Sequence, residues 1–558
     1  MVCTCKKHNS LQSQYLAEIP RGKLRKLLLN VRRGQGVPAS FRERHPCTSM
    51  GIWCISPRIL YATGRQWLSA LSCFDTTVGR IYVSKRNFRQ YRSKPDLSDF
   101  FEPKAIAIIG SFRKGSFGGY VVVKSLLKAG YSGRIYPINP AYTDTHGLKV
   151  YPSIAAVQEE IDLAIIMINA QGVPSIIRDC ADKGIRAIIL VSDGFAERSK
   201  EGARLQNEIV TLSRQLGIRI IGPNTAGIVN TSNGLNPCPY DAGYYRLQQG
   251  SIAICSQTGM TNPQAFPFPH LHLGISNICD FGNKCDVDEC DVLEYLEGDP
   301  RTNVISMYLE GISDSQRFLS ISKRVAPKKP ILILKSGRTP QGARASASHT
   351  GAIAADDRLF EAMCRQAGVI RLESFEEVFE IPKIFATQPL PKGNRLGIIT
   401  YTGAIAVLAL DEGAHYGLAP ANLTAETADL LNGIFPGLGI VPVDIGPMSV
   451  VVKNLPDLYP QIIGAVISDE NVDALLNIMW ADHSGLTYKM CLKAYKQLKI
   501  CHTKPVATWL YGPDTGKVAE LAEALEDLGF PVFSDLKTSI KALASAYKYA
   551  HLKKERLV

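Results

Sequence analysis

The chain has 558 residues, 46% of them apolar and 20% charged, the proportions of a globular protein long enough for about three domains of ~150 residues. No run of about 18 uninterrupted apolar residues occurs, so no membrane-spanning helix is expected. The net charge of +12 is local: residues 1–95 hold 18 Lys/Arg against only Glu18, Glu43 and Asp75. The surplus therefore says nothing about the rest of the chain, and neither a nucleic-acid nor a membrane partner is inferred from it.

Residues 1–95 are expected to be a poorly ordered basic extension, with two basic helical turns at Leu24–Val31 and little periodicity after them. Three readings stay open: a basic tail, a targeting segment, basic and acid-poor as transit peptides are, or an upstream extension with no fold of its own. Five of the 14 cysteines lie there, and the rest are scattered without a CxxC pair. Cys285 and Cys290 flank an acidic stretch, but no second pair completes a zinc set. The cysteines are read as reduced and mostly buried, which points to a cytoplasmic protein, with organellar delivery by the basic extension as the other reading.

From Asp96 onward, short β-branched runs alternate with amphipathic helical stretches, the mark of βαβ units around parallel sheets. The first unit, 96–245, has predicted strands at Ala105–Gly110, Arg134–Asn139, Asp162–Ile168, Ala187–Ser192 and Arg219–Gly222. Its predicted helices are Gly118–Ala129, Val173–Lys183 and Ser199–Leu216. The first strand runs into a loop with Gly110, Ser111, Arg113, Lys114, Gly115, Gly118 and Gly119, whose glycines let backbone approach a phosphate while the two cations add charge. The glycine spacing is not that of a dinucleotide site, and the next strand ends Tyr136-Pro-Ile-Asn139 without a ribose-binding acid. The loop is read as holding a phosphorylated nucleotide other than NAD, against a purely structural tight turn.

The second unit, 246–390, has predicted strands at Ser251–Cys255, Ile275–Asp280, Val304–Leu309 and Pro330–Leu334, with helices at Asp314–Val325 and Asp356–Ala367. Asp286, Asp288 and Glu289 read as an acidic turn before a helix at Asp291 better than as a metal site, and no metal is expected. Glu310 follows a buried strand, where an acid needs a partner unless it faces solvent. After the strand at Pro330–Leu334 comes a lone histidine among small residues, Ser346-Ala-Ser-His349-Thr-Gly-Ala352, ahead of a helix start. Free N–H groups and a helix dipole converge in such a place, so His349 could hold a phosphoryl group on a ring nitrogen there; an ordinary loop histidine is the bland reading. A proline-broken linker, Gln388–Asn394, leads to the third unit, 391–558. Its predicted strands are Leu396–Thr400, Val472–Met479 and Pro505–Leu510, with helices at Val518–Leu528 and Lys541–Lys554. The fold class expected is α/β, with three doubly wound domains in a row.

Taken together, these residues resemble the alpha subunit of the ADP-forming acyl-CoA synthetases, the acetate–CoA ligase relatives of succinyl-CoA synthetase. The resemblance covers about 96–555. It rests on Phe101–Gly110, Tyr136–Pro140, Gly222–Asn224, Ser256–Gly259, Gly282–Lys284, Tyr308–Gly311, Lys335–Thr339, the His349 loop and Pro442–Ile445, in that order. It implies a Rossmann-like CoA-binding domain followed by two flavodoxin-like ligase domains, and the interconversion of acyl-CoA, ADP and phosphate with a carboxylic acid, ATP and CoA. By resemblance, CoA lies along Gly110, Ser111, Arg113, Lys114 and Gly115, past Ser192, Gly194 and Phe195, with Asn224 near the thioester. An acyl phosphate is held by Ser256, Gln257, Thr258 and Gly259, His349 is the nucleophile, and Glu310 bonds its other ring nitrogen. CoA and phosphate are then substrates and no cofactor is tightly bound. ADP or ATP with Mg sits on a separate ATP-grasp beta subunit of an α2β2-like assembly, because no ATP-grasp segment is recognised in this chain.

The chain departs from the family pattern at four places. Ala141 stands where lysine is common, Thr258 replaces a serine, residues 260–270 are proline-rich where a helix usually starts, and Tyr401-Thr-Gly-Ala404 replaces a Gly-Gly-Pro stretch. A non-catalytic CoA-binding or scaffold protein of the same fold is the alternative expectation, with a protein-acyltransferase component a weaker third.

Overall fold

The computed structural model describes residues 97–115, 117–241, 247–261, 274–342, 344 and 357–557, together with five short strands between residues 52 and 84. The chain divides into two units, Met1–Lys94 and Pro95–Val558. In the first, Leu71–Asp75 is the central strand of an antiparallel sheet, flanked by Ile52–Cys54 and Arg80–Ser84; Tyr61–Thr63 pairs separately with Gln66–Leu68. The sequence had suggested no strands there. Leu24–Val31 lies outside the described residues.

The second unit holds three sheets. The first comprises β1 (Ala105–Gly110), β2 (Arg134–Ile138), β3 (Leu163–Met167), β4 (Ala187–Leu190) and β5 (Arg219–Ile221), all parallel, in the order β2-β1-β3-β4-β5. All six residues of β1 are buried, as expected of a parallel strand with helices on both faces. Helix α1 (Gly119–Ala129) follows β1, and α2 (Val173–Asp182) follows β3. Helix α3 (Lys200–Leu216) is started by Ser199, whose side chain accepts from Gly202 N, and ended by Gly217 in the left-handed region. Its Leu205, Ile209, Leu212 and Leu216 recur at helical spacing and pack on the sheet.

The second sheet contains β6 (Ile228–Asn230), β7 (Gln249–Ser256), β8 (Ile275–Asp280), β9 (Val304–Leu309), β10 (Ile331–Lys335) and β11 (Ile370–Arg371), in the order β6-β8-β7-β9-β10-β11. Strand β6 is antiparallel to β8 and the others are parallel. β6 precedes residue 246 in the chain yet pairs in the second sheet. Helices α4 (Glu289–Gly298), α5 (Ser315–Val325) and α6 (Asp357–Ala367) belong to this layer.

The third sheet is β13-β12-β15-β16-β17, built from β12 (Arg395–Thr400), β13 (Ala419–Pro420), β15 (Ala474–Trp480), β16 (Val506–Tyr511) and β17 (Val532–Phe533), with β14 (Val443–Asp444) also pairing β12. In each sheet the run of parallel strands begins near the middle, steps to one side, then resumes past its first strand. The order therefore reverses at β1/β3, β7/β9 and β12/β15. In open α/β sheets ligands bind beyond the carboxyl ends of the strands at such points.

Helices α7 (Gly403–His415), α8 (Leu455–Ser468) and α9 (Leu486–Cys501) were not anticipated from the sequence. α7 carries Ile405, Val407, Leu408 and Leu410, with Val407 and Leu408 exposed, so no single apolar stripe marks it. Helix α10 (Thr515–Asp527) and the last helix, α11 (Leu536–Leu557), complete the unit.

Continuous apolar clusters join the sheets. One runs from Ile106 and Ile108 to Cys255, Phe281 and Met307, the other from Ile252 and Ile254 to Leu396, Leu476 and Leu543. Each fully buried Leu, Ile, Phe or Met contributes roughly 1.5–3 kcal/mol. Two buried ion pairs sit between the second and third sheets. Lys383 Nζ meets Glu526 Oε1 at 2.9 Å, and Lys541 Nζ meets both oxygens of Glu377 at 2.7 and 2.8 Å. The linker is held too: Gln388 accepts from Val506 N and donates to Gly529 O.

Candidate functional site

At the carboxyl end of β1 the glycine loop is built on one buried ring. Phe112 packs edge-on against Tyr142 at 5.9 Å, and a Cβ on Gly119 would lie 2.9 Å from Ser111 O, so the loop closes tightly onto α1. Asn139 Nδ2 donates to Gly110 O, so the asparagine ending the predicted strand braces the loop. Ser111, Arg113, Lys114 and Gly115 are exposed, with the two cations facing solvent. The far end of the loop reaches the segment between β6 and β7: Phe117 bridges Tyr240, and Gly118 N donates to Pro239 O at 3.3 Å.

Beyond β4, the Ser192 hydroxyl accepts from Ile168 N, and its carbonyl accepts from Asn224 N. Ser192 thus ties three segments at this edge. Asn224 is exposed and adopts φ 59°, a left-handed conformation that asparagine tolerates better than most residues. Gly194 N and Phe195 N both donate to Glu197 Oε1, at 2.6 and 3.0 Å. Burial alone would raise the Glu197 carboxyl; hydrogen bonds from Asn283 and from backbone N–H groups outweigh it and hold the group below its ordinary range. Phe195, expected by resemblance along the ligand path, stands beside these groups. Its side chain is fully buried in the core of the first sheet, and its backbone N–H is the group given to Glu197.

The second sheet's reversal point carries the other predicted residues. Ser256 Oγ accepts from Thr258 N at 2.9 Å and donates to Thr258 O at 3.0 Å, while Thr258 Oγ1 accepts from Met260 N. These bonds form a closed turn at Ser256–Gly259. Gln257 acts outside it: its side-chain oxygen accepts from Glu310 N at 2.7 Å and Gly311 N at 3.2 Å. The turn and Glu310, 53 residues apart, are therefore held by one amide. Glu310 itself is buried at the end of β9. His349 and the rest of 345–350, with 351–356, lie outside the described residues, so its pairing with Glu310 is not part of this geometry.

Gly282-Asn283-Lys284 links the two edges. Gly282, at φ 53°, passes so close to Pro223 that a Cβ would meet its carbonyl oxygen at 2.2 Å. Asn283 Nδ2 donates to Glu197 Oε2 and to Gln206 Oε1, reaching the first sheet. Lys284 Nζ donates to Glu289 Oε2 at 2.9 Å and Gly311 O at 2.7 Å, reaching the residue after Glu310. No local pattern identified Glu197 or gave Asn283 its bridging role, since both are ordinary polar loop residues in sequence.

Beneath the turn lies Asp280, whose carboxylate accepts from Ala226 N at 2.6 Å and Gly282 N at 3.2 Å. Burial pushes this group up to about 6 despite those bonds and one from Thr225. In the unfolded chain it ionises near 3.8, so between the two values the folded state binds the extra proton. Stability from this group is thus full below pH ~4 and is lost as pH rises through about 6. The loss is roughly 3 kcal/mol from a shift of about two pH units. Urea midpoints measured from pH 4.5 to 7.5 should show this fall, and Asp280→Asn should remove that part of the slope.

The acidic stretch is fully engaged with cations and a helix start. Asp288 caps α4 in a reciprocal capping box with Asp291, and Arg219 binds Asp286 and Asp291 at 2.7 Å each. Among the described residues, no group of three His, Cys, Asp or Glu side chains is placed to hold a metal ion. Seven of the eight described cysteines are buried, and Cys285 is partly so; burial pushes the Cys180 and Cys238 thiols up to about 12. No described helix is long and apolar enough to cross a membrane. At the third reversal point, Thr400 Oγ1 donates to Thr402 O and accepts from Thr402 N, repeating the Ser256 turn under a different sequence.

Residues 104–231 match the CoA binding domain family, and residues 249–385 match the succinyl-CoA ligase like flavodoxin domain. The chain is 37% identical over 476 residues to an acetate–CoA ligase [ADP-forming] II of Archaeoglobus fulgidus, covering 84% of this chain and 69% of that protein. It is 34% identical to the acetate–CoA ligase [ADP-forming] II subunit alpha of Pyrococcus furiosus, covering 78% of this chain and 94% of the relative. A solved structure of an acetyl-coenzyme A synthetase 1 from Ca. Korarchaeum cryptofilum, in complex with phosphate and ADP, superposes with a TM-score of 0.74 at 30% identity. That match covers 83% of this chain and 98% of the other.

Proposed function

Because the chain belongs to the ADP-forming acyl-CoA synthetases, the family of the ADP-forming acetate–CoA ligases, we propose that it is an alpha component that makes and consumes a phosphohistidine. A phosphate oxygen attacks the thioester carbonyl at the Ser256–Gly259 turn; the C–S bond breaks, and CoA leaves as the thiol with a proton. The acyl phosphate then meets His349, whose ring nitrogen forms the N–P bond as the P–O bond to the acyl group breaks, releasing the carboxylate. Glu310 accepts from the other ring nitrogen, orienting the imidazole and stabilising the charge that develops. The loop at Gly110–Gly115, with Arg113 and Lys114, holds the CoA phosphates, and Asn224 lies near the thioester. Phosphoryl transfer depends on position and charge stabilisation, which backbone donors at a turn supply.

The phosphoryl group passes to ADP, held with Mg on a separate ATP-grasp beta subunit in an α2β2-like assembly. The working domains are 96–245, 246–390 and 391–558, behind a basic extension at 1–95. Buried, reduced thiols suit a cytoplasmic location, or an organelle reached through that extension.

The observation that carries the reading is the Gln257 amide, which ties the backbone at Glu310, the residue proposed to orient the histidine, to the turn where the acyl phosphate is proposed to form. Purified chain incubated with acetyl-CoA and labelled phosphate should take up acid-labile, base-stable label, and His349→Ala should take up none. CoA binding with no label in the parent chain would point instead to a non-catalytic CoA-binding or scaffold protein.

A further inference from the structure

Gly282-Asn283-Lys284 is one of the runs that carry the family resemblance, and the chemistry at the turn and at Glu310 uses none of its side chains. Its lysine sits oddly for a cation. Lys284 adopts φ 52°, a left-handed conformation that suits glycine or asparagine far better. Its side chain is 8% exposed, and that of its partner Glu289 is fully buried. A buried ion pair holds two elements together no better than an apolar contact of similar volume, so stability alone does not account for this one.

What the pair holds is the backbone that carries Glu310. Lys284 Nζ donates to Gly311 O at 2.7 Å as well as to Glu289 Oε2 at 2.9 Å. Glu289 Oε1 accepts from Ser313 N at 2.6 Å, and Oε2 accepts from Ser313 Oγ at 3.3 Å. From the other side, Gln257 Oε1 accepts from Glu310 N and Gly311 N. Residues 310–313 are thus gripped along their backbone beyond β9, where Gly311 would otherwise leave the chain free to turn. The lysine is itself anchored. Asn283 N donates to Pro223 O, Cys285 N to Gly222 O and Val287 N to Ile220 O, so 283–287 runs along β5 and the turn after it.

We propose that Lys284 is a positioning residue of histidine phosphorylation: with Glu289 it fixes residues 310–313, so that the Glu310 carboxylate keeps the place from which it orients His349. This rests on the reading that Glu310 and His349 pair. A misplacement of about 1 Å at a reacting group can cost on the order of 10²-fold in rate, and an ammonium locked to the carbonyl next to Glu310 removes that freedom.

The test is the rate of label uptake from phosphate by the purified full chain, with acetyl-CoA as donor. Lys284→Met alone strands the Glu289 charge, so the variant measured is Lys284→Met with Glu289→Leu, which removes both charges. Its maximal rate should fall about 10- to 100-fold while the half-saturating phosphate and acetyl-CoA concentrations stay within about twofold, which separates lost positioning from lost binding. Glu289→Gln, which keeps the side chain's shape and loosens the same grip, should show the same split at about 3- to 10-fold, so the test stands even where the paired variant does not fold. Added to Glu310→Gln, the paired change should slow uptake by no more than about twofold further, because it acts through a carboxylate already neutralised. A full rate in these variants, a rise in half-saturating concentration that accounts for the loss, or a loss that multiplies with that of Glu310→Gln would overturn the proposal. No label in the parent chain, or a full rate in Glu310→Gln, would instead overturn the underlying reading of Glu310 and His349, and this proposal with it.

Discussion

Glu310→Gln should cut phosphoryl uptake by about 10²–10⁴-fold, a loss of roughly 3–5 kcal/mol in the barrier, while leaving the fold intact. Glutamine matches glutamate in shape, so the substitution removes charge without removing volume. The structural bond at this position belongs to the backbone: Gln257 receives the Glu310 N–H, and that contact survives the change. On the role proposed for Glu310, what is lost is the negative charge that would stabilise the histidine as it becomes cationic, while the amide oxygen can still accept from the ring. The check is the initial rate of label uptake beside a thermal melt. A reduced rate with an unchanged melt supports the assignment, whereas a full rate would remove Glu310 from the chemistry.

Lys383→Met should be the most destabilising single change described here. Lys383 and Glu526 are both almost fully buried, and Glu526 Oε1 accepts from the Lys383 ammonium and from Val532 N. Breaking a buried pair by removing one partner leaves an uncompensated charge and costs about 3–5 kcal/mol. For domains of this size that lowers the melting midpoint by roughly 10 °C. Lys383→Met combined with Glu526→Leu should recover most of the loss, since an apolar pair of similar volume replaces an ionic one at little cost. Calorimetry on the three variants decides it: a double variant no more stable than the single one would show that the pair, not the stranded charge, holds these elements together.

The helices and strands of the first two sheets were legible wherever the local pattern is sufficient to define them. Ala105–Gly110, Ile275–Asp280 and Val304–Leu309 appear at the predicted residues, because a strand covered on both faces must be an unbroken apolar run between turns. Ser199, Asp288 and Asp314 mark helix starts through side chains that reach their own backbone. The third unit was less legible. α7 opens on an unbroken apolar run from Gly403 to Leu410, and α8 carries Pro460 within it, so neither shows the periodic stripe or clean boundary that identifies a helix.

The site divides the same way. Gly110, Ser256 and Glu310 were singled out from the chain itself or its resemblance, and each stands at the carboxyl end of a strand beside a reversal of strand order. Phe195 was set along the CoA path by resemblance alone, and packing places its side chain in the core of the first sheet.

From residues alone came the alternation of strand and helix, the helix caps and the loops able to face an anion, since each depends on neighbours a few positions away. The tertiary structure alone decided that Ile228–Asn230 joins the second sheet, that Gln257 braces Glu310, that Asn283 reaches Glu197, and that Phe117 meets Tyr240. Those contacts span tens to more than a hundred residues. Their energy comes from groups brought together only when whole layers pack, so they leave no period or spacing in the chain to be read.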